Sequence, residues 1–191
     1  AQLAVETALA MQEEVERLNV KFRERKWPDM QIGIGVSTGV MSVGDMGSKI
    51  RRAYTVMGDP VNLGARLEGR TKTYGIGILV SEVTRRSVQN VVFREIDKVR
   101  VKGKDEPVTI YEPLGVEGSV PKERLDEIKL WHATLKSFRA QQWDQTELQL
   151  LNLLRPNPKN KLYLEYMERV ASYRSSPPEE GWDGVHTFSE K

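Results

Sequence analysis

Ala4, Ala8, Met11, Val15, Leu18 and Phe22 recur at three- and four-residue intervals, so the first two dozen residues are predicted to form one amphipathic helix. Glu13, Glu14, Glu16 and Arg17 fall on its other side, a solvated face that implies no chemistry. The period then changes. Gln31 to Ser37 alternates small and apolar residues with glycines, the pattern of a buried strand that admits close neighbours. Gly44-Asp45-Met46-Gly47-Ser48 reads as a turn cluster, and Lys49 to Val56 returns as a strand whose alternation is imperfect. A helix is predicted from about Pro60 to Tyr74, stopped by Gly75 as a left-handed cap. Ile76 to Val80 is a short apolar strand. Ser81 caps another short helix, with Glu82 near its start and Arg85 and Arg86 further along. Phe93 to Val101 and Val108 to Tyr111 close the sheet, joined by a basic turn at Lys102 to Lys104.

Beyond Gly115 the pattern becomes wholly helical. Glu117 to Pro121 is a short linker, after which Leu125, Ile128, Trp131, Leu135 and Phe138 line one helix. Leu148, Leu151 and Leu154 line a second, and Leu162, Tyr166, Val170 and Tyr173 a third. Ser175-Ser176-Pro177-Pro178 breaks the pattern, and the tail that follows carries Trp182, Val185 and Phe188, apolar surface that favours a return to the body of the protein. The expected organisation is a mixed unit over 1–115, a linker over 116–122, a helical extension over 123–174 and a tail over 175–191.

Composition narrows the function classes. A net charge of +2 is too balanced to indicate a nucleic-acid partner. The absence of cysteine excludes disulfides and thiolate metal sites. His132 and His186 stand far apart in different contexts, which argues against a histidine-based zinc site. No apolar run approaches the length of a membrane span and no signal peptide is visible, the pattern of a cytoplasmic chain.

The chemistry concentrates between Tyr54 and Glu68. A strand-like run ends at Gly58, and Asp59-Pro60 reads as a helix start, with Asp59 as the cap and Pro60 at the first helical position. Asn62 and Arg66 then lie four residues apart on one face of the first turns, an amide and a guanidinium that suit a polyphosphate. Taken alone, such a pair is also an ordinary solvated feature of an amphipathic helix. Gly44 to Ser48 lacks the Gly-Lys-Ser/Thr ending of a phosphate-binding loop. Asp45 reads as a turn residue and not as a metal ligand.

The order Tyr54-Thr55-Val56-Met57-Gly58-Asp59-Pro60-Val61-Asn62-Leu63-Gly64-Ala65-Arg66 resembles the signature of the class III nucleotidyl cyclases. There a strand leads through Gly-Asp into a helix carrying Val-Asn-x-x-x-Arg. Ile32 to Gly39 resembles the central strand of that family, and Val101-Lys102-Gly103-Lys104 with Ile110-Tyr111 resembles its closing strands. The resemblance spans about Ala1 to Gly115. It implies an α+β, ferredoxin-like catalytic domain that cyclises a nucleoside triphosphate by attack of the ribose 3′-oxygen on the α-phosphorus, releasing pyrophosphate. Carried onto this chain, Arg66 stabilises charge on the phosphoryl oxygens and Asn62 holds the ribose in line. Lys102 or Lys104 contacts the terminal phosphates, the other being a solvated turn residue.

Thr55 falls where the family reads the purine. The chain is similar to bacterial members with threonine there, which implies ATP, with guanylate cyclase as an alternative; as a bare sequence feature Thr55 is also an ordinary β-branched strand residue. The resemblance further implies two Mg²⁺ or Mn²⁺ ions held by a pair of aspartates that the family places upstream of the first helix here. On that basis the chain is expected to be the C-terminal part of a longer protein, inactive alone, with any membrane anchor further upstream. The family pairs head to tail, so a homodimer is implied, with metal ligands from one protomer and Thr55, Asn62 and Arg66 from the other. A non-catalytic dimerisation module is the competing reading, and the presence of Thr55, Asn62 and Arg66 together argues against it. The helices after Pro121 resemble a degenerate tetratricopeptide hairpin, with Gln141 and Thr146 at positions where glycine and alanine are common; a lone repeat cannot bury its own face, so packing on the cyclase unit or a second protomer is expected.

Overall fold

The computed structural model describes residues 1–48, 52–100, 106–179 and 181–185. Lys102, Lys104, His186 and Phe188 lie outside the described residues, as does the basic turn expected between the closing strands. The architecture is α+β. Helix α1 (Gln2–Glu24) leads into strand β1 (Ile34–Val36), followed by the hairpin of β2 (Ser42–Gly47) and β3 (Arg52–Met57). Helix α2 (Asp59–Tyr74), strand β4 (Ile78–Ser81), helix α3 (Glu82–Arg86) and strands β5 (Val91–Val99) and β6 (Val108–Val116) complete the mixed part. Helices α4 (Lys122–Arg139), α5 (Trp143–Leu154) and α6 (Lys161–Ser175) follow.

A four-stranded mixed sheet has the order β1-β4-β6-β5, with β1 parallel to β4 and the other pairs antiparallel. Alternation along β4 explains the layering. Ile78 and Val80 face α1, where they join Val5 and Ala8, while Leu79 faces the opposite side among Leu63 and Leu67 of α2. All of β4 is buried, as its continuous apolar run requires. The larger core lies on the α2 side, where Trp131, Leu135 and Phe138 of α4, Leu150 and Leu153 of α5 and Leu162, Tyr166 and Val170 of α6 join Ile96 and Ile110. The helical extension therefore shares one core with the cyclase-like part. Trp182 of the tail closes it, with ring centroids 5.5 Å from Phe138 and 5.1 Å from Tyr173.

Several local expectations need correction. The buried stripe of α1 runs through Val5, Ala8 and Asn19, and Met11 is exposed. Polar residues occupy that stripe because their bonds are made. Asn19 exchanges two hydrogen bonds with the Met30 backbone, and Gln12 donates to the carbonyls of Ile32 and Gly77. Gly44 to Gly47 is strand, not turn, and Asp45 pairs with Tyr54 inside the ribbon. In α5 the buried residues are Thr146, Leu150 and Leu153, whereas Leu148 and Leu151 face solvent. The Thr146 hydroxyl donates to the Gln142 carbonyl at 2.9 Å, which lets a polar side chain sit inward.

Candidate active site

Helix α2 presents Asn62 and Arg66, and its seat is set by missing side chains. A Cβ on Gly35 would stand 2.0 Å from the Gly64 carbonyl oxygen and 2.5 Å from the Glu68 nitrogen. A Cβ on Gly33 would stand 2.2 Å from the Thr71 hydroxyl. The helix thus lies directly on the backbone of β1, closer than any side chain on that strand would allow. Leu63 and Leu67 point into the core, leaving Asn62 and Arg66 exposed one turn apart on the outer face.

The start of α2 differs by one residue from the expected cap. Gly58 is the N-cap, Asp59 is the first helical residue, and Pro60 follows within the first turn. Gly58 has φ +151°, backbone that favours glycine, and its carbonyl accepts from the amides of Val61 and Asn62 at 3.1 and 3.3 Å. Asp59 places a negative charge at the positive end of the helix, a favourable site for it. At the other end Gly75 adopts the left-handed conformation (φ 65°, ψ 38°) and its amide bonds the Thr71 carbonyl, as the sequence indicated.

Thr55 lies in β3, paired with Gly44 across the ribbon, three residues before Gly58. All six residues of β3 are exposed. Thr55, Asn62 and Arg66 therefore belong to one continuous strand–turn–helix unit, presented to solvent at the N-terminal end of α2. Lys102 and Lys104 cannot be added to this geometry, since they fall outside the described residues. Among the described residues no group of three or more His, Cys, Asp or Glu is placed to hold a metal ion.

The other end of α2 carries groups that sequence reasoning overlooked. Tyr74, its last residue, donates from its hydroxyl to Asp97 Oδ2 at 2.6 Å, and Arg169 Nη1 of α6 donates to the same oxygen at 2.6 Å. Burial pushes the Tyr74 phenol well above its ordinary value, and the Asp97 charge adds to this, so the phenol stays protonated and donates. Burial opposes the charge on Arg169, but the carboxylate of Asp97 outweighs it and holds the guanidinium firmly protonated. The available signal was a charged residue on the apolar stripe of the third helix: Arg169 stands one turn from Tyr166 and Tyr173.

The glycine-bearing strand beneath α2, expected at the centre of the sheet, stands at the edge of the described one. The strand–glycine turn–helix unit bearing Thr, Asn and Arg that rests on it is nonetheless the arrangement expected of a nucleotide cyclase, and comparison with known proteins agrees. The family described as the adenylate and guanylate cyclase catalytic domain matches residues 1–112, and the chain belongs to that family. Adenylate cyclase 1 of Rhizobium meliloti (strain 1021) is 38% identical over 117 residues, 61% of this chain and 18% of that protein. The terminal-differentiation-specific adenylate cyclase of Dictyostelium discoideum is 30% identical over 176 residues, 87% of this chain and 8% of that protein. This chain thus spans less than a fifth of the length of either relative. Among solved structures, the adenylyl cyclase CyaB from P. aeruginosa superposes with a TM-score of 0.50 at 28% identity, covering 59% of this chain and 58% of that one.

Proposed function

We propose that this chain is the base-, ribose- and phosphate-contacting part of an adenylate cyclase, which converts ATP to 3′,5′-cyclic AMP and pyrophosphate. The observation that carries the reading is the placement of Asn62 and Arg66 together on the exposed face of the first turns of α2, directly after the strand that bears Thr55. The cyclisation gathers negative charge on the phosphoryl oxygens while the ribose 3′-oxygen bonds to the α-phosphorus and pyrophosphate leaves. Arg66 supplies a fixed cation for that charge. The Asn62 amide, one helical turn away, orients the ribose so that attack is in line. The Thr55 hydroxyl accepts from the adenine 6-amino group. Lys102 or Lys104 contacts the terminal phosphates. GTP is the second candidate, because a threonine hydroxyl rotates to donate as readily as it accepts.

The metal-bearing carboxylates belong, in this reading, to another segment or to the partner in a head-to-tail homodimer. The β2–β3 ribbon supports pairing. It is a separate two-stranded sheet, marginal by itself, and it exposes Val43, Tyr54 and Met57 at 58, 76 and 58%. Residues 1–191 alone are then inactive.

The test is to assay the full-length protein that carries this chain with ATP or GTP plus manganese and to identify products by mass spectrometry. Cyclic AMP that vanishes in Asn62→Ala and Arg66→Ala is the expected result. Cyclic GMP would reassign Thr55. No product from a folded dimer would favour the dimerisation module.

A further inference from the structure

The sheet carries a bulge where the helical extension meets it. The register of β5 on β6 slips between Glu95 and Asp97, so Ile96 and Asp97 are buried side by side at 0 and 1% exposure. Bulges re-aim side chains, and this one turns a carboxylate into the interface between the sheet, α2 and α6. The carbonyls beside it are taken by the extension: Trp131 Nε1 donates to Glu95 O at 2.6 Å and the Tyr166 hydroxyl to Ile96 O at 3.0 Å. Asp97 is engaged on both oxygens. Oδ1 accepts from the Lys98 amide at 2.7 Å, and Oδ2 accepts from Tyr74 and Arg169. Arg169 Nη2 also reaches the Tyr74 hydroxyl at 3.4 Å, so one guanidinium holds both.

A buried ion pair is a poor device for stability, because well-packed apolar residues of similar volume often serve as well or better. What it adds is direction. Leu63 and Leu67 sit in the apolar core, and Gly33 and Gly35 let the helix close on the chain that runs through β1, with Thr71 seated over Gly33. The bonds at Tyr74 add a directional hold at the C-terminal end of the helix, tying it to β5 and α6. Tyr74 is the last residue of α2, and Asn62 lies on the order of 18 Å along the same rod, so a change at one end arrives at the other.

We propose that the helical extension is a positioning element for the catalytic helix, acting through Arg169, Asp97 and Tyr74 to set where Asn62 and Arg66 stand. The proposal rests on the cyclase reading of Asn62 and Arg66. It fits the Dictyostelium relative, whose similarity covers 87% of this chain and so continues beyond the 112 residues of the family match. None of the three is a catalytic residue; each acts at a distance through the helix.

The experiment uses the full-length protein as Tyr74→Phe, Arg169→Gln and Arg169→Lys, read by amide hydrogen exchange and by steady-state kinetics. Tyr74→Phe keeps the ring and removes one hydroxyl, so it carries the test if Arg169→Gln fails to fold. In Tyr74→Phe and Arg169→Gln, exchange over residues 61–66 should quicken about tenfold while β4 stays protected. Over the same pair kcat should fall on the order of ten- to a hundredfold, with KM within about twofold, as a small misplacement of reacting groups predicts. Arg169→Lys should recover part of both losses. Unchanged exchange over 61–66 with unchanged kcat overturns the proposal, and so does a uniform rise in exchange across α2, β4 and β5, which is plain destabilisation. If no variant, wild type included, forms a cyclic nucleotide, the cyclase reading falls. Exchange over 61–66 still decides the coupling in that case, faster exchange supporting it and unchanged exchange overturning it.

Discussion

Gly35 of β1 lies beneath Gly64 of α2 so closely that a Cβ on Gly35 would come within 2.0 Å of the Gly64 carbonyl oxygen. The obstacle is helix backbone, which cannot swing aside as a side chain would. Gly35→Ala should therefore lift α2 from the sheet and cost about 1–3 kcal/mol of stability, the usual range for an added methylene in a filled core. Because α2 carries Asn62 and Arg66, turnover should fall further than stability alone explains. Gly69→Ala, on the exposed side of the same helix, is the matched control, since a Cβ there meets nothing within 4 Å. Urea unfolding and cyclase assays on the two variants of the full-length protein make the comparison.

Asn62→Ala and Arg66→Ala remove exposed side chains, so the fold should tolerate both to within about half a kcal/mol. Catalysis should not. Loss of one electrostatic donor aimed at the transition state typically costs about 3–4 kcal/mol, roughly a hundred- to a thousandfold in kcat. Thermal unfolding beside initial-rate kinetics separates the two effects. A drop in melting temperature matching the drop in rate would show these residues to be structural.

The elements legible from sequence were those in which one local rule acts alone. Helix α2 ended at Gly75 as predicted because a left-handed cap needs no partner, and Ser81 capped α3 with its hydroxyl accepting from the Thr84 amide. The positions of Asn62, Arg66 and Thr55 were readable for a similar reason: strand, turn and helix follow one another without a long-range contact. What escaped were polar residues with distant partners. Gln12 and Asn19 look like surface residues until Gly77 and Met30 supply their hydrogen bonds, and the true face of α1 turns accordingly. Arg169 and Asp97 are separated by seventy-two positions, and no periodicity links them. Gly44 and Gly47 signal a turn, yet they lie in a ribbon whose pairing depends on β3.

The corrected face of α5 can be tested directly. Leu150 is fully buried among the helices, and Leu148 is 62% exposed. Leu150→Ala should cost about 2–5 kcal/mol, the range for truncating a core leucine. Leu148→Gln should change stability by less than about 0.5 kcal/mol. Chemical denaturation of the two variants checks this, and the opposite ranking would return α5 to the face predicted from its sequence.

Acid should loosen the extension through Glu127. Burial by itself would raise the pKa of this carboxyl, but hydrogen bonds from Tyr163 and Arg124, with Arg94 nearby, outweigh that and hold it below its ordinary value of 4.5. The unfolded chain then takes up the proton first as pH falls. The stabilisation is therefore complete above about pH 4.5 and is lost progressively as pH drops through the lower folded value. Glu127 bonds Tyr163 of α6 and Arg124 of α4, and Tyr163 accepts from Arg94 of β5 at 3.0 Å, so its protonation weakens the contact between extension and sheet. Glu127→Gln should unfold more readily at pH 6 yet show a shallower decline in stability below pH 4.5 than wild type. Urea titrations across pH 3 to 6 measure both, and parallel pH profiles for the two proteins would show that another carboxylate carries the acid sensitivity.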